Sequence, residues 1–127
     1  ILGFSMGGII GRYWIKKLDG YKRTRQFITV GSPHKGTLAS QLVPKYPFKG
    51  ISEMKISSFL LRDLSKYDYL LKDIDCISFF TFWDLMVFPG WKANLNSGEK
   101  ISLEIYQHKN LVRNPKAVEK IIGRILR

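Results

Sequence analysis

The sequence predicts an α/β domain: a parallel sheet flanked by helices. Short apolar runs alternate with stretches of helical period along the chain. The segments joining those runs are long, as crossovers between parallel strands must be. The chain has 127 residues, 45% of them hydrophobic, enough for one domain with a sizeable core.

The elements follow in order. Ile1 and Leu2 read as the tail of a strand cut short. Met6 to Leu18 reads as a helix, because Met6, Ile10, Trp14 and Leu18 recur at four-residue steps with Ile9 and Tyr13 beside them, and Gly20 supplies a stop. Gln26 to Val30 (QFITV) is a short strand, ended by Gly31-Ser32-Pro33. The stretch 35–75 is too long for a simple loop. Its Met54, Phe59, Leu60, Leu61 and Leu64 suggest a short helix covering something. Cys76 to Trp83 (CISFFTFW) reads as a buried strand. The stretch 85–99 carries Pro-Gly and Asn-Ser-Gly turn signals, and is long enough to return a parallel strand without a helix. Lys100 to Tyr106 alternates, with Ile101, Leu103 and Ile105 on one face. Pro115 to Leu126 is a helix with Asn114 as N-cap, Pro115 at the first helical position, and Val118, Ile121, Ile122 and Ile125 facing inward.

The formal charge is +11. The Lys and Arg are scattered, which reads as a solvated basic surface; attraction to an anionic membrane surface is the livelier alternative. No basic helix with interleaved aromatics and no nucleic-acid motif is present, so nucleic acid is not an expected partner. Cys76 stands alone, so no internal disulfide can form. The longest apolar runs fall far short of the ~20 residues that span a bilayer. The first residue is Ile, and the chain reads as a piece of something longer.

Chemistry enters with the opening stretch, ILGFSMGG. Gly-x-Ser-x-Gly after a strand and before a helix is a nucleophile elbow. Its turn is crowded, so Gly3 and Gly7 are expected to make room beside Ser5, while Gly8 and Gly11 let the helix approach the sheet. Each glycine inside a helix costs about 1 kcal/mol against alanine, so three in one helix want a reason. A serine hydroxyl needs a base, and the base an orienting acid; in this arrangement the chain order is Ser, acid, His. His34 comes too early and reads as a polar loop residue. His108 follows the last predicted strand, where a base could reach back over the strand ends. Asp84 stands just after the aromatic run, where catalytic groups gather at the carboxyl ends of parallel strands. Asp63, Asp68, Asp73 and Asp75 read as solvated charge, and Glu104 lies inside a predicted strand.

These segments resemble the C-terminal part of an α/β-hydrolase of the lipase/esterase type. Gly3-Phe4-Ser5-Met6-Gly7-Gly8 is similar to the lipase elbow, which usually has His where Phe4 stands. Thr29 to Thr37 (TVGSPHKGT) resembles the family's Gly-Thr-Pro-His-x-Gly-Ser/Thr segment. Met54 to Leu64 (MKISSFLLRDL) resembles the segment after it, and Asp84 to Pro89 resembles its Asp-x-x-Val-x-Pro acid loop. The resemblance spans almost the whole of residues 1–127. It implies a partial α/β-hydrolase fold with a lid-like insertion over 36–75, and a catalytic set of Ser5, Asp84 and His108. It also implies the backbone N–H of Met6 as an oxyanion-hole donor, Pro33 and His34 as pocket wall, no cofactor, no metal, and an ester or lipid-like substrate. The family's second oxyanion donor comes from a loop upstream of the elbow, outside this sequence. The lost donor is worth about 2.7–4 kcal/mol, and an apolar sheet edge would be left open. The expectation is a chain that alone folds poorly or associates and has little activity. A truncated, non-catalytic hydrolase-fold protein or binding module is the competing expectation.

Overall fold

The computed structural model describes residues 1–39, 55 and 58–127. Four strands form one parallel sheet: β1 (Leu2–Phe4), β2 (Gln26–Val30), β3 (Asp75–Phe80) and β4 (Glu99–Ser102), in the order β1-β2-β3-β4. Helices α1 (Met6–Lys17), α2 (Phe59–Ser65) and α3 (Pro115–Ile125) join or flank them. The parallel α/β expectation is met, and so is the return from β3 to β4 without an α-helix, where Gly90–Ala93 adds one tight helical turn.

The central strands are buried on both faces, as parallel strands are. On one face Ile28, Val30, Ile77 and Phe79 pack with Leu103, Ile105, Leu111, Ala117 and Ile121. On the other, Phe27 and Cys76 pack with Ile15, Leu71, Ile74 and Leu95. β1 is an edge strand. Its Ile1 carbonyl accepts from Ile28 N–H, and Ser5 N–H donates to Val30 O. The alternation of a parallel ladder then turns the backbone groups of Leu2 and Phe4 outward.

Several expectations need correction. The predicted first helix forms as α1; its Met6, Ile10, Trp14 and Leu18 stripe is exposed, and the buried positions are Gly8, Ile9, Gly11, Arg12, Ile15 and Lys16. A methyl group at Gly11 would come within 2.8 Å of the Phe27 ring. The glycine side is thus the only one that lets α1 sit this close to β2. On α3, Ala117 and Ile121 are buried, while Ile122 and Ile125 stay largely exposed and line a shallow apolar groove with Leu2, Phe4 and Val30. β3 ends at Phe80, and Phe82 and Trp83 lie beyond it with exposed rings. Helix α2 covers α1 through Leu61 and Leu64 against Ile9. Met54, which the sequence reading placed in this helix, lies outside the described residues.

The scattered basic residues are not all solvated either. Arg12 and Lys16 are buried, and both reach Oδ1 of Asp68 in the Asp68–Leu71 turn. Asn96 donates to the other oxygen of Asp68. Lys16 also donates to Leu64 O at 2.8 Å, and Arg12 to His34 O at 3.1 Å. Asp68 is therefore a paired, partly buried anchor. Asp63 likewise pairs with Lys17.

Candidate active site

Ser5 occupies the turn between β1 and α1 with φ 51° and ψ −124°, a region that costs a non-glycine residue about 1–3 kcal/mol. Surrounding packing holds it there. A methyl group on Gly3 would lie 2.6 Å from the Gly8 backbone, so the turn closes only with glycine at position 3. Nothing lies within 4 Å of such a group on Gly7, and the expected crowding at Gly7 is absent. Ser5 is the N-cap of α1, yet its side chain makes no capping hydrogen bond. Ser58 and Asn114, the N-caps of α2 and α3, both accept one. The Ser5 hydroxyl is thus not spent on capping its own helix. The N–H of Met6 belongs to the first turn, whose amides lack helical acceptors. No acidic side chain sits in that turn to offset the positive end of the helix dipole.

Asp84 and His108 meet. His108 Nδ1 lies 2.7 Å from Asp84 Oδ2, with both residues buried. The other carboxylate oxygen accepts from Met86 N–H at 2.9 Å and Val87 N–H at 3.0 Å. The carboxylate is thereby fixed and satisfied, and able to hold one imidazole tautomer with Nδ1 protonated and Nε2 bare. Thr81, itself fully buried, donates from its hydroxyl to Ile105 O at 2.7 Å and ties the Asp84 loop to the His108 loop. Gln107, at φ 74°, turns the chain so that His108 points inward, and Leu111 anchors the turn that follows.

The imidazole lies over the carboxyl ends of β1 and β2. It stacks on Phe4, the residue before Ser5, at 4.8 Å between centroids. Its Nε2 is buried and has no hydrogen-bond partner, so no hydrogen bond joins it to Ser5. Gly31, at φ 55°, faces it: a methyl group there would lie 3.0 Å from His108 Cε1 and 2.8 Å from Leu111 Cδ1. The sequence reading treated Gly31 only as a strand stop and did not single out Thr81. The Gly31-Ser32-Pro33 turn directly after a strand is the signal from which Gly31 could have been found.

His34 lies elsewhere. It is buried edge-on to Phe27, 6.3 Å between centroids, with both ring nitrogens unpartnered. Burial, then the charges of Arg12 and Lys16, push its pKa well below the usual histidine value, so it is neutral.

A serine in a strained strand-to-helix turn, with an acid and an imidazole on later strand ends of a parallel sheet, belongs to a partial α/β-hydrolase fold. Solved structures carry the same architecture. The mature form of the lipase BlEst2 from Bacillus licheniformis superimposes with a TM-score of 0.77 at 12% identity, over 96% of this chain and 63% of that one. The lin2722 gene product of Listeria innocua superimposes with a TM-score of 0.61 at 18% identity, over 94% of this chain and 54% of that one. The chain thus spans less than two thirds of either protein, and the likeness is one of fold. No protein-family model and no curated protein matches the sequence.

Proposed function

We propose that the protein is a lipase- or esterase-like serine hydrolase acting on carboxylic esters. The observation that carries this reading is the buried 2.7 Å contact between Asp84 and His108, with the far nitrogen of the imidazole left unpaired beside the residue that precedes Ser5. In this reading Ser5 Oγ attacks the ester carbonyl as His108 Nε2 takes its proton. Asp84 holds the ring and stabilises the imidazolium. The N–H of Met6 donates to the developing oxyanion. His108 then returns the proton to the leaving alcohol. A water activated by the same nitrogen cleaves the acyl-serine and regenerates the hydroxyl.

A second reading, a hydrolase-fold chain without catalysis, draws on the missing hydrogen bond between Ser5 and His108. A fluorophosphonate probe separates the two. The ester-hydrolase reading expects covalent labelling at Ser5, abolished in Ser5→Ala and strongly slowed in His108→Ala. A folded protein that takes no label supports the non-catalytic reading. Labelling that persists in Ser5→Ala overturns the choice of nucleophile.

A further inference from the structure

The loop that supplies Asp84 has a second face. Between Phe82 and Trp91, six large apolar side chains stand 46–77% exposed: Phe82, Trp83, Leu85, Met86, Phe88 and Trp91. Asp84 and Val87 of the same loop are buried. Tyr106, also exposed, lies against Trp83 with 5.9 Å between ring centroids.

This exposure is built into the backbone. Asp84 Oδ1 accepts from the amides of residues 86 and 87. Thr37 Oγ1 donates to Met86 O at 2.9 Å and accepts from Phe88 N–H at 3.0 Å. Leu38 N–H donates to Phe88 O at 2.9 Å. Val87 is packed with Phe80 and Ala93, and Gly90 fits directly against the Thr81 carbonyl. The loop cannot turn its apolar side chains inward without breaking the bonds that fix Asp84.

We propose that this loop docks on an anionic phospholipid surface. So many exposed apolar side chains on one loop mark an interaction site, and the mixture points to a bilayer. Trp and Tyr suit the headgroup boundary, while Leu, Met and Phe suit the acyl layer. Charge selects the lipid. Asp84 is turned in and paired, so the half-buried Lys92 is the other charge between residues 82 and 92. Lys35 joins it through a backbone bond to Lys92 O, and the exposed Lys109 adjoins His108. Glu104, which shares a cleft with Phe82, Trp83 and Tyr106, is the opposing acid. The whole chain carries +11, which attracts an anionic leaflet. Delivery of lipid esters by this contact rests on the ester-hydrolase reading; the docking itself does not.

The test uses sucrose-loaded vesicles of phosphatidylcholine alone and of phosphatidylcholine mixed with phosphatidylglycerol, with Ser5→Ala protein so that hydrolysis plays no part. Binding to the anionic vesicles is expected to be about tenfold tighter or more, to weaken with salt, and to shift tryptophan emission to the blue. Leu85→Ser with Trp91→Ser, checked by circular dichroism for native folding, is expected to lose about tenfold in affinity per site. Lys92→Glu is expected to lose about fivefold or more, on anionic vesicles only. Equal binding to both vesicles, or a folded double variant that binds as the parent does, overturns the proposal. Binding to neither vesicle also overturns it and leaves an acidic protein surface as the occupant. Vesicle binding by the Ser5→Ala protein, together with no fluorophosphonate labelling of the folded parent chain, keeps the docking and removes the enzyme.

Discussion

Asp68 gives the sharpest test of what holds α1, and with it Ser5, in place. The side chains of Arg12 and Lys16 are 3% and 0% exposed, and both lean on one Asp68 oxygen. Removing one partner of a buried ion pair costs about 3–5 kcal/mol, because a charge is left without compensation. Asp68→Asn keeps an acceptor oxygen, and Leu64 O, Ser65 Oγ and His34 O still receive hydrogen bonds from the two cations. The expected loss is therefore at the lower end, about 3 kcal/mol. The pH dependence follows from the same cluster. Burial, then the charge of Arg12, push the Lys16 amine down to about 8, against the hydrogen bond and charge of Asp68. Burial works against the Asp68 carboxylate too, but hydrogen bonds from Lys16 and Asn96 and the two positive charges outweigh it and hold its carboxyl below the usual range. Between pH 8 and the ordinary lysine value of 10.5, the unfolded chain binds a proton at Lys16 that the folded chain has lost. Stability from this group therefore rises with pH there, by about 1.4 kcal/mol per unit. Urea unfolding followed by circular dichroism from about pH 7 to pH 9.5 measures both effects, with Lys16→Met as the reference that lacks the rise. A loss under about 1 kcal/mol in Asp68→Asn, or identical pH profiles for the parent and Lys16→Met, would refute the reasoning.

Gly31→Ala forces an L-residue into the left-handed region at about 1–2 kcal/mol and presses on the imidazole. A shift of that ring by about 1 Å should cut kcat/KM for a p-nitrophenyl ester about 10²-fold, and unchanged turnover would show that the ring has room. Burial pushes the Cys76 thiol up to about 11, so Ellman's reagent should react with it only on unfolding; stoichiometric labelling of the native chain would contradict the packing. Asn114 accepts from Lys116 N–H at 3.0 Å as N-cap of α3. Asn114→Ala should cost about 1 kcal/mol in thermal or urea unfolding, and a neutral effect would remove the cap from the account of that helix.

Much of this architecture was readable because local chemistry and global fold agree. QFITV gave β2 with the same bounds, and Asn114-Pro115 gave the start of α3. Chain order and strand ends alone selected Asp84 and His108, which the fold brings to 2.7 Å. One reading failed where periodicity was used to assign a face, and others where tertiary contacts set the outcome. In α1 the bulky stripe faces solvent, because Gly8 and Gly11 form the side that admits Ser32 and Phe27 so closely. In α3, Ile122 and Ile125 share the apolar arc yet line an open groove with Leu2 and Phe4 of the edge strand instead of packing into the core. Arg12 and Lys16 lie one turn apart on α1 but Asp68 is more than fifty residues away, and nothing local announces that the three are buried together. Gly31 matters through a contact with a side chain met only after the chain has crossed the sheet twice more.

The strands stand side by side in the order in which a ribosome would release them. Leu2 meets Ile28, Ile28 meets Ile77, and Ile77 meets Glu99, so each new strand finds its neighbour already made and none must be threaded between two others. The longest wait falls between the second and third, a separation roughly twice the other two. A doubling of loop length adds only about 0.6 kcal/mol of closure entropy. Leu61 and Leu64 against Ile9, and Asp68 against Lys16, shorten the gap further. The intervening segment thus carries its own handholds for drawing the nascent sheet shut.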